Sequence, residues 1–211
     1  MQGVQEFLQN LDLVGCGDSS SSSEQVVCIH IGVNYKGTLM HLEEVAYNDA
    51  SFRIPDNQGK QPKQDPINIS REIGSEFRTR LDLESIAKAQ NKTLRYTRKV
   101  KHINGSSASP SQTSPTSEEE EPHRDEVVRV STDPGRFVCN YIYYSSLTVF
   151  EEYPHIYSLF LHVPPVDQMD LEFQKEYLVD LLRRLKDQVT TNANSNTNTA
   201  RTSLLRGRQQ T

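Results

Sequence analysis

The sequence predicts an α/β protein, a sandwich of helices around a mostly parallel sheet. Three runs of strand length and composition carry that expectation: "QVVCIHIGV", "EVVRVST" and "YSLFLHVPP". Segments of helical periodicity alternate with them, the order that builds parallel sheets. The length of 211 residues holds one substantial domain and not two large ones.

Taken in order, Val4, Phe7, Leu8 and Leu11 recur at helical spacing and predict a short amphipathic helix. The continuous apolar run "QVVCIHIGV" predicts a strand buried on both faces, with Gly32 at its exit. "RIPDNQGKQPKQDPINIS" is rich in Pro, Gly, Asn and Asp and reads as a long loop. A helix then fits Leu83, Ile86, Ala87 and Gln90, with Asp82 as its cap. "EVVRVST" is the second strand, "GRFVCNYIYYSSL" a helix, and "YSLFLHVPP" a third strand stopped by Pro164 and Pro165. The last helix begins near Asp167 or Asp170 and is expected to bury Leu171, Leu178, Leu181, Leu182 and Leu185.

A hydrophobic fraction of 35% and a mean hydropathy of −0.66 are low for a fully packed chain. The polar excess falls in "GDSSSSSE", in "NGSSASPSQTSPTSEEEEPHRDE" and in the terminal "TTNANSNTNTARTSLLRGRQQT". The expected organisation is therefore a single domain over 1–189, carrying a disordered acidic insertion at 104–126, followed by a disordered tail at 190–211.

The net charge of −5 without a basic face disfavours nucleic acid and anionic membranes as partners. No apolar run is long enough to span a bilayer, and the opening "MQGVQEFLQNLDLV" has neither a basic leader nor a signal core. A soluble, cytoplasmic protein is expected. Cys16, Cys28 and Cys139 are odd in number and widely spaced, which predicts reduced thiols with no disulfide framework and no metal site. No cofactor motif is present, and nothing in the pattern sets an oligomeric state.

Cys139 is the residue with the most chemical promise. It follows a Pro-Gly turn and opens a helix, where unpaired N–H groups and the helix dipole favour a thiolate and can hold an oxyanion. A lone free cysteine is nevertheless more often a small buried hydrophobe, so the assignment depends on a nearby base. His162, late in the next strand, could be delivered to it. Among the other histidines, His102 and His123 flank the polar insertion, His30 reads as a core residue, and His41 beside Glu43 is a weaker rival base. Glu43, Glu44, Asp56 and Asp133 are all candidates to orient the imidazole, and spacing does not rank them.

The ordered motifs "HLEEVAYN", "FRIPDNQGKQP", "GRFVCN" and "LFLHVPP" closely resemble the pyroglutamyl-peptidase I family, cysteine peptidases that remove an N-terminal pyroglutamate. The resemblance runs from about residue 26 to about residue 189, broken by the 104–126 insertion. It implies a three-layer α/β/α sandwich and a catalytic set of Glu43, Cys139 and His162, with Arg53, Ile54, Phe137 and Val138 at the lactam pocket. It further implies pyroglutamyl peptides as substrates, cleaved through an acyl-enzyme on Cys139 without a cofactor.

Family members open with a strand and a loop of the type "GFGPF". Here "VGCGDSS" at 14–20 has no aromatics, so the chain is expected to be N-terminally truncated relative to the family. The competing expectation is a truncated, non-catalytic paralogue or isoform acting as a binding protein.

Overall fold

The computed structural model describes residues 24–96 and 126–207, with side chains as far as 192. The expected helix at 4–11, Cys16, His102, His123 and nearly all of the acidic insertion lie outside the described residues. Among the described residues, six strands and three helices follow in the order β1 (Val26–Val33), β2 (Met40–Glu43), β3 (Val45–Tyr47), β4 (Glu76–Arg78), α1 (Leu83–Thr93), β5 (Val128–Ser131), α2 (Val138–Val149), β6 (Ile156–Val163) and α3 (Leu171–Gly207).

The main sheet has the order β1-β6-β2-β5, and β3 pairs with β4 in a separate ribbon. β1 runs parallel to β6 and β2 parallel to β5, while β2 and β6 are antiparallel. Two of three pairings are thus parallel, as expected. The antiparallel join means that β2 and β6 point their carboxyl ends in opposite directions, so candidate residues at strand ends do not share one edge of the sheet.

Side-chain alternation builds three layers. On one face Met40, Leu42, Val128, Tyr157, Leu159 and Leu161 pack with Leu83 and Ile86 of α1 and with Phe173, Tyr177, Leu181 and Leu185 of α3. On the other, Phe160 packs with Tyr141, Tyr143 and Tyr144 of α2 and with Ala46 of β3. The result is an α/β/α sandwich.

β6 is the strand buried on both faces, with only Val163 reaching intermediate exposure. This corrects the expectation for β1, which lies at the sheet edge and leaves Ile31 54% and Val33 45% exposed. An apolar run reports burial but not position in the sheet. Gly32 is likewise inside β1, opposite His162, rather than at its exit.

The Asp82 cap is present, its Oδ1 accepting from Ser85 N at 3.0 Å, and α1 buries Leu83, Ile86, Ala87 and Gln90. α3 starts after Asp170, whose Oδ1 accepts from Phe173 N at 3.0 Å. It buries Leu181 and Leu185, but Leu171 and Leu182 are about half exposed because the buried stripe passes through Phe173 and Tyr177 instead. The helical backbone also continues through the tail region expected to be disordered, reaching Gly207; no Pro or Gly intervenes between 190 and 206 to stop it.

β2, β3 and β4 are too short to stand out in the sequence. Glu44 separates β2 from β3: its N–H donates to Ser131 O at 2.8 Å and its carbonyl accepts from Thr79 N at 3.0 Å. One residue thereby ends the main ladder and turns the chain into the ribbon. The long loop is then pinned from inside by Asn48, which is fully buried. Its amide donates to the carbonyls of Asn68, Arg71 and Glu72 at 2.9–3.0 Å and accepts from Asn68 N at 2.7 Å.

Asn48→Ala leaves those loop groups without their partner and is expected to lower unfolding stability by about 2–3 kcal/mol. Urea denaturation followed by circular dichroism checks this, and a loss below about 0.5 kcal/mol contradicts the pinning role.

Candidate active site

The site sits on the sheet face that looks toward α2. Period-two alternation brings His41 and Glu43 of β2, Phe160 and His162 of β6, and Gly32 of β1 to that face. In the β2–β6 register His41 lies opposite His162 and Glu43 opposite Phe160. Glu43 therefore reaches His162 diagonally, and its Oε1 lies 2.7 Å from His162 Nδ1.

That contact is almost dry: the side chains are 10% exposed for His162 and 1% for Glu43. It also separates the four carboxylates that spacing left open. Glu44 pairs with Arg78 at 2.7 Å. Asp56 accepts from the Lys60 and Gln58 backbones in an exposed turn, bonds that hold its carboxyl below the usual range. Asp133 pairs with Arg136 at 3.0 Å. Glu43 is the one among them that meets an imidazole.

Cys139 arrives from the opposite layer. After β5, Gly135 takes a φ of +77°, a conformation that glycine adopts without a Cβ clash. Asp133 Oδ1 accepts from Gly135 N at 3.1 Å and fixes the turn. α2 then begins at Val138, capped by Phe137 with no side-chain hydrogen bond and no acidic residue in its first turn. The N–H groups of that first turn have no intrahelical acceptor. Val138 and Cys139 line the same cavity as His162.

Asn140, fully buried, fixes the height of the helix: its Oδ1 accepts from Tyr47 N at 2.8 Å and its Nδ2 donates to the Tyr47 and Asp49 carbonyls at 2.8 and 2.9 Å. One turn on, the Tyr143 hydroxyl donates to Glu43 O at 2.8 Å and ties α2 to β2. Burial raises that phenol well above its ordinary pKa, so it stays a donor. Below the thiol, Gly32 leaves the room that Cys139 needs. A Cβ there would stand 2.9 Å from the Phe160 ring and 3.3 Å from Cys139 Sγ.

Burial pulls the His162 pKa down, but hydrogen bonds to Cys139 and Glu43 and the charges of both outweigh it and push it up to about 9. His41 behaves oppositely. Burial lowers it, and the neighbouring His162 and Arg129 lower it further, against Glu43 and Glu126. Two histidines opposite each other in the sheet are thus shifted in opposite directions.

The cavity has a volume of about 950 Å³. Of the expected pocket residues, Arg53, Phe137 and Val138 line it. Ile54 does not: it is 62% exposed and turned away along the loop. The Arg53 guanidinium lies over the Phe137 ring at 5.6 Å, and Phe137 meets Phe52 edge-on at 4.8 Å. Gln61 donates to the Phe52 and Arg53 carbonyls at 3.1 Å and holds this strip of loop in place. His30 lies outside the cavity lining, half-buried with Nε2 3.6 Å from Cys28 Sγ.

Gly32, Asn48, Asn140 and Tyr143 position the site, yet nothing in their spacing marked them. The one available signal was Asn140, a polar residue next to Cys139 within the otherwise apolar first turns "FVCNYI" of that helix.

An α/β/α sandwich with a buried glutamate–histidine pair facing a cysteine at a helix start defines a class of thiol-bearing proteins. The chain is 30% identical over 169 residues to a pyrrolidone-carboxylate peptidase of Bacillus subtilis, covering 79% of this chain and 61% of the relative. It is 26% identical over 175 residues to one of Streptococcus pyogenes, covering 82% and 61%. The pyrrolidone carboxyl peptidase of Thermococcus litoralis superposes with a TM-score of 0.61 at 17% identity, over 90% of this chain and 73% of that one, and shares the fold. No family model matches. The chain is thus similar to pyrrolidone-carboxylate peptidases, the pyroglutamyl-peptidase I family, and spans about three-fifths of the length of the curated relatives it matches.

Because His162 titrates above its ordinary 6.5 in the folded chain, its protonation adds stability that is fully present below about pH 6.5 and is lost as pH rises through about 9. The thermal midpoint is expected to fall across that window. In Glu43→Gln the fall should flatten and the His162 ring resonances should titrate lower by NMR; an unchanged titration contradicts the coupling.

Proposed function

We propose that this protein is a cysteine-type omega-peptidase that hydrolyses an N-terminal pyroglutamyl residue from peptides, with Cys139 as nucleophile, His162 as general acid and base, and Glu43 as the orienting carboxylate. The observation that carries the reading is the buried 2.7 Å bond from Glu43 to His162, on the sheet face that looks onto Cys139. The similarity to pyrrolidone-carboxylate peptidases supports the choice of substrate.

The chemistry follows from the parts. With His162 held as imidazolium, the Cys139 thiolate attacks the pyroglutamyl carbonyl and forms a C–S bond. The resulting oxyanion is received by N–H groups of the first turn of α2, which carry no side-chain cap. His162 passes its proton to the leaving amine, the C–N bond breaks, and a thioester to Cys139 remains. Water, deprotonated by the now neutral His162, attacks the thioester and releases 5-oxoproline, regenerating the Cys139 thiolate beside the His162 imidazolium. Glu43 keeps the Nε2 edge of the ring toward the sulfur by holding Nδ1.

Arg53 and Phe137 form the wall against which the planar lactam would rest. No step calls for a metal or cofactor. A nucleophilic thiol works only while reduced, which fits a cytoplasmic setting.

The test is hydrolysis of pyroglutamyl-aminomethylcoumarin. Cys139→Ala is expected to lose at least about a thousandfold in kcat/KM, and Glu43→Gln about a hundredfold. Turnover in Cys139→Ala equal to that of the natural chain sinks the nucleophile assignment. A folded natural chain with no turnover favours the binding-protein reading.

A further inference from the structure

The cavity extends well beyond the groups that would hold a lactam, and its charges are unevenly matched. Its lining includes Lys36, Arg53, Arg136, Asp133 and Glu43. Arg136 is paired by Asp133 at 3.0 Å and lies 3.8 Å from Asp49, and Glu43 is held by His162. Arg53 rests on Phe137. Among the described residues Lys36 forms no ion pair.

Its place in the fold gives this cation a direction. The turn at 34–37 continues β1 past His162: Gly32 is the register partner of His162, and Asn34 N donates to Val163 O at 2.9 Å. The turn is closed by Gly37 N donating to Asn34 O at 2.9 Å and Lys36 N donating to Asn34 Oδ1 at 3.2 Å. Asn34, Tyr35 and Lys36 all border the cavity, and Tyr35 is 85% exposed at its rim. His162 is the group that must protonate the leaving amine. The amine therefore departs on the His162 side, toward this turn, while the acyl group stays against Phe137 and Arg53.

We propose that the turn at 34–37 is the subsite for the leaving peptide and that Lys36 receives a carboxylate lying within one residue of the scissile bond. This rests on the peptidase reading above. Two sources share that chemistry: the C-terminal carboxylate of a pyroglutamyl dipeptide, and the side chain of an acidic second residue. His41, across His162 from this turn, also borders the cavity and can offer a hydrogen bond.

The experiment compares kcat/KM for pyroglutamyl-alanine with its amide, and for pyroglutamyl-aspartate amide with pyroglutamyl-asparagine amide. An exposed ion pair of this kind is weak, so the anionic member of at least one pair is expected to be favoured about threefold, through KM. Lys36→Gln should bring that ratio to about one, Lys36→Arg should keep it, and about 0.5 M salt should erase it in the natural chain. Whichever pair responds identifies the source of the carboxylate.

Equal rates within both pairs for the natural chain overturn the subsite while leaving the peptidase reading in place. A preference that survives Lys36→Gln also overturns it. Absence of hydrolysis for all four compounds overturns the peptidase reading and the subsite with it.

Discussion

A carboxylate with no exposed surface has to find a partner, because leaving it charged and alone in a protein interior costs several kcal/mol. For Glu43 that partner is the His162 imidazole at 2.7 Å, and the contact exists only because β2 and β6 pair antiparallel in the register that sets His41 against His162. A slip of one residue would turn Glu43 and His162 onto opposite faces. The sheet register and the chemistry of the site are therefore the same constraint. The second carboxylate oxygen, Glu43 Oε2, is buried with no hydrogen-bond partner among the described residues, so the His162 contact is the one polar bond that side chain makes there.

The rest of the sandwich serves to bring a helix start to that pair. Asn140 locks α2 to the β3 backbone, Tyr143 locks it to the Glu43 carbonyl, and Gly32 keeps the floor low enough for the sulfur. These contacts all set the position of one helix start, so their effects on the site should be coupled rather than additive. Phe160 links them further: its ring lies 4.7 Å from His162 and 5.9 Å from Tyr143. The imidazole is thus confined by packing on one side and by the carboxylate on another.

Around this rigid centre the cavity walls differ in kind. The wall of Arg53 and Phe137 is backed by the Phe52 ring and held by Gln61, so a planar group meets a preformed surface. The wall at 34–37 is an exposed turn carrying Lys36, which forms no ion pair among the described residues. Under the proposed function, such a division would separate recognition of the acyl group, which needs shape, from recognition of the departing peptide, where charge and adaptability are enough.

Much of this protein was legible in its residues alone. The apolar runs at 26–33, 128–131 and 156–163, the Asp82 cap and the Pro134-Gly135 turn are local signals, produced by backbone sterics and burial within a few neighbours. Cys139 at a helix start was legible for the same reason. What tertiary structure decided is everything that depends on which strand lies beside which. It placed β1 at an edge and β6 at the centre although both are apolar runs, set β2 against β6 in reverse, and chose Glu43 over Glu44, its neighbour in the chain, by pointing one inward and the other toward Arg78. Adjacent residues in a strand face opposite ways, and only the pairing says which way is in.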